Sequence, residues 1–161
     1  MSRRPCHPDH GQVKSVSELN KLKVRLFVEA VWNEGRLELI DELIAADYIG
    51  HLPRAGPAVT GPEGMRRLVA SRRRAHPGLY IKIEDQVAED DRVVTRWQAT
   101  ATGPGARSVG AAARQVPYCA GISIIRLLAG KQVDSRTECT NLTSQPDGRK
   151  SAPARPGHPA R

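Results

Sequence analysis

The sequence predicts an α+β domain in which three N-terminal helices pack on a curved antiparallel sheet. Two observations carry this. Between residues 17 and 75 the apolar positions recur at helical spacing. After His76-Pro77 the period changes to two, and short turn signals cut the rest of the chain into successive hairpins.

The first helix spans Ser17 to Asn33, with Leu19, Leu22, Val24, Leu26, Phe27, Ala30 and Val31 at helical spacing. Ser17 is its N-cap candidate and Asn33-Glu34-Gly35 its stop. A second helix runs from Arg36 to about Ala45, with Leu37, Ile40, Leu43 and Ile44 on one face. Asp47 to Pro53 leaves helical periodicity and should cross the mouth or wall of the domain. Pro62 in a first turn, Glu63 behind it, and Met65, Leu68 and Val69 mark the third helix, which His76-Pro77 ends. Strands follow at Leu79 to Ala88 and Arg92 to Thr102 around the turn Glu89-Asp90-Asp91. A Gly- and Ala-rich loop covers 103–115, and Ala129-Gly130 joins the last two strands, Val116 to Leu128 and Lys131 to Leu142.

The length of 161 residues suits one domain with one core, and with aromatics at 4% that core must be mainly aliphatic. A net charge of +8 invites a nucleic-acid reading, but its distribution argues against a specific one. Residues 1–17 hold three Lys/Arg against one Asp, and residues 143–161 hold four against one, so most of the excess sits at the ends. Those ends also carry six of the twelve prolines and few large apolar residues, and are expected to be disordered around a domain at 18–142. The arginines at 66, 67, 72, 73 and 74 read as the solvated face of the third helix. No apolar stretch is long enough to span a membrane, and no apolar run follows Arg3 and Arg4 as in a secretory signal. Three cysteines, Cys6, Cys119 and Cys139, fit a reduced cytoplasm, with the last two on neighbouring strands as small hydrophobes. Cys6-His7-Pro8-Asp9-His10 lacks the second ligand cluster a metal site needs, and no metal is expected.

Two matched segments, Leu26 to Gly35 with Leu39 to His51, and Gly121 to Arg126 with Gly130-Lys131, resemble the SnoaL-like polyketide cyclase (ester cyclase) family. Gly61-Pro62-Glu63-Gly64, His76-Pro77-Gly78-Leu79, Glu89 to Val94 and Arg96-Trp97 fall in that family's order. The resemblance covers roughly Glu18 to Leu142 and implies the cone-shaped NTF2-like fold, whose outer sheet face can pair with a second copy. It also implies a cofactor-free, intramolecular aldol closure on a small apolar, carbonyl-bearing substrate. Such chemistry needs a buried acid/base group and donors for an enolate oxygen.

The resemblance places the family's catalytic Asp at Thr140, which cannot serve as that group. Glu138, two residues away and so on the same face of a regular strand, is then the nearest carboxylate; its alternative is a solvated acid paired with Arg96 or Arg136. His51, in the motif where the family usually also has a His, could donate to a substrate oxygen or relay a proton, or else fix its loop. A second family His has no counterpart at Ala101-Thr102-Gly103. Arg96 and Trp97 are adjacent on a strand, so only one can face the cavity; we expect Arg96, meeting Glu138 or a substrate carboxylate. Trp32, Tyr48 and Tyr118 are candidates for the apolar wall. The competing reading is a non-catalytic domain that binds a small molecule or a protein.

Overall fold

A computed structural model describes residues 15–53, 57–102 and 115–142. The expected disorder of both ends, the Cys6-His7 cluster and the 103–114 part of the Gly/Ala loop lie outside the described residues.

The first helix, α1 (Val16–Leu26), is capped by Ser15, whose Oγ accepts from Glu18 N at 3.2 Å, two residues ahead of the expected cap. It runs on as a π-helical segment, Phe27–Asn33, in which Glu34 N–H reaches back five residues to Glu29 O. The wider turn directs Phe27, Ala30 and Val31 into the core, and Gly35, at φ 80°, closes it. Asn33 then clamps the helix end to the sheet: its side chain donates to Ile81 O at 2.9 Å and accepts from Ile81 N at 2.7 Å.

A 3-10 turn (Leu37–Leu39) leads into α2 (Ile40–Leu43), which stops two residues earlier than expected. Ile44 is already extended, because it starts β1 (Ile44–His51) and pairs with Gln132. The stretch from Asp47 to His51 is therefore strand, and with Leu52 and Pro53 it supplies part of the cavity wall, as expected. The remaining elements are β2 (Val59–Thr60), α3 (Gly61–Ala75), β3 (Tyr80–Glu89), β4 (Arg92–Thr102), β5 (Gln115–Leu128) and β6 (Lys131–Asn141). Sheet order is β2-β1-β6-β5-β4-β3. All neighbours are antiparallel except β1 and β6, which run parallel, so the sheet is mixed rather than purely antiparallel. A parallel pair needs a long crossover, and here β2, α3, β3, β4 and β5 lie between its two strands.

One apolar cluster joins Phe27, Val31, Ile40, Leu43, Ile44, Tyr48, Met65 and Val69, where the helices meet β1. A second closes the far end of the sheet with Val24, Val93, Ile125 and Leu127. As composition requires, both are mainly aliphatic. Between helices and sheet they leave a cavity that opens where β5 begins and β6 ends.

Candidate active site

The cavity holds about 780 Å3. Along the inner face of the sheet, β4 contributes Thr95, Trp97 and Ala99, β5 Cys119, Ser123 and Ile125, and β6 Gln132, Ser135, Thr137 and Cys139. α1 and its π-helical extension supply Val24, Phe27 and Trp32, while α3 supplies Met65, Leu68 and, one and two turns further on, Arg72 and His76. The lining is thus apolar except for a row of hydroxyls, two thiols, the carboxamides of Gln132 and Asn141, one guanidinium and one imidazole.

Five of the residues expected from the sequence line this cavity: Trp32, Tyr48, Trp97, Tyr118 and Thr140. Tyr48 is buried with its hydroxyl 2.6 Å from Ser135 Oγ, and burial pushes its phenol above the ordinary range, so it stays neutral. The Trp97 indole N–H donates to Ser123 Oγ at 3.0 Å, and that hydroxyl lies 2.9 Å from Thr137 Oγ1. Tyr118 stacks on His76, ring centroids 3.9 Å apart and 38° between planes.

Three others do not. Arg96 points away from the cavity, 58% exposed, and pairs with Glu84 at 2.9 Å. Strand alternation decides this: Val93, Thr95, Trp97 and Ala99 share the inner face, and a guanidinium in that row would lie buried against no acid. Glu138 falls in the same outward row, through the pairings Arg96↔Ile122 and Ile122↔Glu138, so its exposed carboxylate cannot reach the cavity. Thr140 meets the cavity only at the rim, where β6 ends, and sharing a face with it does not bring Glu138 inside. His51 is half-buried, 3.8 Å from Asp134 across the β1–β6 pair, and is outside the lining. Asp134 in turn leaves Arg126 to Asp91, which it meets at 2.7 Å.

Among the lining residues that the sequence pattern does not single out are Arg72 and His76, which it groups with a solvated arginine face and a helix stop. Their neighbours do behave as surface: Arg66 pairs with Asp41 and Glu63, and Arg67 with Glu63. Arg73 donates to Trp32 O and Asn33 O, at 2.6 Å each, and locks α3 to the π-helical end. Arg72 has no ion pair among the described residues and stands exposed at the mouth. His76 is held neutral by burial first and by the Arg72 cation second, which together lower its pKa below the usual 6.5. The signal was present: Met65, Leu68, Val69, Arg72 and His76 continue one i, i+3, i+4 stripe.

Cys119 and Cys139 face the same cavity from paired strands. Burial, and then the neighbouring Cys139 thiol, push Cys119 up to about 11. It should therefore resist iodoacetamide near neutral pH in the native protein, because the thiolate is the nucleophile. Peptide mass spectrometry after timed alkylation checks this; labelling at the rate of a free thiol would contradict it. Among the described residues no group of three or more His, Cys, Asp or Glu is placed to hold a metal, and no helix is long and apolar enough to cross a membrane.

Comparison with known proteins agrees with this architecture. No curated protein matches the sequence. A SnoaL-like polyketide cyclase candidate from Jannaschia sp. CCS1 superposes with a TM-score of 0.65 at 20% identity, over 84% of this chain and all of the other. IdmH from Streptomyces antibioticus, a candidate polyketide cyclase, gives 0.61 at 26% identity over 74% and 91% of the two chains. AclR from Streptomyces galilaeus, a candidate hydroxylase, gives 0.60 at 24% identity over 76% and 79%. The profile of SnoaL-like polyketide cyclases matches residues 22–146, most of the chain. With its fold and cavity in place, the chain belongs to the SnoaL-like polyketide cyclase family.

Proposed function

We propose that this protein closes a ring in an apolar, carbonyl-bearing, polyketide-like substrate by aldol chemistry, with His76 as the acid/base group in place of a carboxylate. The observation that carries this is the cavity mouth, where a neutral imidazole and an unpaired guanidinium flank an apolar chamber. His76 takes the proton from the carbon between two carbonyls, and the enolate forms beside Arg72, whose charge holds its oxygen. The enolate carbon attacks the distal ketone, forming the C–C bond, and the new alkoxide takes the proton back from His76. Tyr118 supports the imidazole through a tilted ring contact, and Trp97 and Trp32 offer flat walls to the product ring. The reading assigns no cofactor and no metal.

The direct test is closure of methyl dioxooctanoate with ketones at carbons three and seven, whose carbon between ketone and ester can form a six-membered ring on the distal ketone. Wild-type protein should accelerate closure over buffer, and Glu138→Gln should stay within about twofold of wild type, as for a surface change remote from the site. A large loss in Glu138→Gln would return the role to that carboxylate. A second reading, non-catalytic binding of the same class of molecule, is favoured by one observation: among the described residues, no Asp or Glu lines the cavity. Binding of the diketo ester without acceleration would select it.

We also propose the outer sheet face as the contact for a second copy, since Val87, Ile122 and Ile124 stand exposed there. Light scattering reads this as a dimer that Ile122→Glu dissociates.

A further inference from the structure

The inner face of β6 is polar along its whole buried length. Gln132, Ser135 and Thr137 follow one another towards the mouth, all lining the cavity. Thr137 and Ser135 already have partners in Ser123 and Tyr48. Gln132 differs. It is 2% exposed, lies between Leu127 of β5 and Ile44 of β1, lines the cavity with Val24 and Ile125, and its Nε2 has no partner among the described residues. A buried amide donor left unpaired costs free energy and calls for an explanation.

We propose that Gln132 is the deep-end recognition residue of the cavity. Its carboxamide donates to a carbonyl oxygen on the leading end of the bound molecule. The terminal torsion of Gln is broad and roughly two-fold, so turning the carboxamide brings the unpaired N–H round to the cavity. A bulge at Val133 sets Gln132 opposite Leu127 and Thr137 opposite Ser123, four residues of β5 apart, so the oxygen seated there lies about 14 Å along β6 from Thr137, at about 3.4 Å per residue. The ligand class is therefore elongated: an oxygen acceptor leads, hydroxyl-binding oxygens lie along the β6 edge, and the other edge is apolar. A site built to bind an oxygen rejects the analogue that lacks it, because its donor is again left unpaired. The inference rests on the ligand-binding part of the proposed function and is independent of the chemistry at His76.

The test compares two probes by fluorescence of Trp32 and Trp97, both in the cavity wall. One is heptyl methyl ketone; the other is its methylene analogue, with CH2 in place of the carbonyl oxygen. Wild type should bind the ketone about tenfold more tightly, the worth of one well-made buried hydrogen bond. Gln132→Met, of similar shape and without the donor, should bind both equally while keeping the affinity for the hydrocarbon. Gln132→Leu should do the same and should melt no lower than wild type if the orphan donor is a burden in the empty protein. His76→Asn should keep the preference, which separates this inference from the catalytic reading. A preference that survives in both Gln132 variants, or is absent from wild type, overturns the inference alone. Failure of both probes to bind overturns the cavity reading with it.

Discussion

Exchanging His76 for Asn is expected to slow closure of the diketo ester by about a hundred- to ten-thousandfold, the usual worth of one positioned acid/base group. The apolar lining stays intact in that variant, so the ester should still bind and the loss should appear in kcat rather than KM. The pH profile makes the claim sharper. The base must be neutral, so the rate should climb with pH along one acid limb. Burial and the Arg72 cation both depress the His76 pKa, which puts the midpoint of that limb below the ordinary 6.5. Arg72→Gln removes the second cause. Its limb should therefore move upward in pH while kcat falls, because the enolate loses its cation. A purely structural His76 would show neither shift. The same depression has a consequence for folding: the unfolded chain takes up this proton more readily than the native one. Stability should thus decline as pH falls through 6.5 towards the lower native value. A limb centred above 6.5, or unmoved in Arg72→Gln, would exclude His76 as the base.

How far the sequence reveals this site depends on which periodicity one follows. The helices and hairpins were legible because their apolar periods are long and their stops are strong, as at His76-Pro77 and Ala129-Gly130. β1 was not. It is short, runs parallel to a strand some ninety residues away, and shows no clean alternation in Ile44 to His51. Local pattern carries no information about such a partner. Arg96 was misplaced for another reason. A guanidinium on a strand suggests a buried anion partner, but the alternation of Val93, Thr95, Trp97, Ala99 and Ala101 already puts Trp97 inside. Glu138 stands two residues from the position of the family's Asp and His51 within the family's own motif, yet the fold turns the first outward and leaves the second outside the lining. Arg72 and His76 were hidden by composition. Four other arginines nearby made the whole segment look like surface, although the stripe from Met65 leads straight to both. On the proposed reading the acid/base group is the imidazole at the end of that stripe, since the described lining residues include no carboxylate.

Gly121 offers the sharpest test of how sheet and cavity depend on each other. It sits in β5 between β4 and β6, opposite Trp97 on one side and Cys139 on the other. A methyl group there would meet Glu138 O at 2.5 Å, Trp97 Cζ2 at 2.7 Å and Cys139 Cβ at 2.8 Å. None of the three can yield cheaply: one is backbone of the sheet, one is at the root of a side chain, and one belongs to a ring pinned through Ser123. Gly121→Ala should therefore destabilise the fold by about 1–3 kcal/mol, the range for overpacking a well-filled site. For a domain of this size that lowers Tm by roughly 3–10 °C. Because Trp97 lies flat only over a bare Cα, its indole should lift, its bond to Ser123 should break, and its emission should shift in the folded variant. Probe affinity should fall with it. Gly64→Ala is the counterpart with opposite sign. Gly64 lies inside α3, its added methyl meets nothing closer than Val59 Cγ1 at 3.3 Å, and Ala favours a helix by up to about 1 kcal/mol. A lowered Tm in Gly121→Ala beside an unchanged or raised Tm in Gly64→Ala would show that Gly121 is retained for the space it leaves to Trp97. Equal tolerance at both would mean that β5 can move away from its neighbours, and that Trp97 is not held against the cavity floor by the sheet.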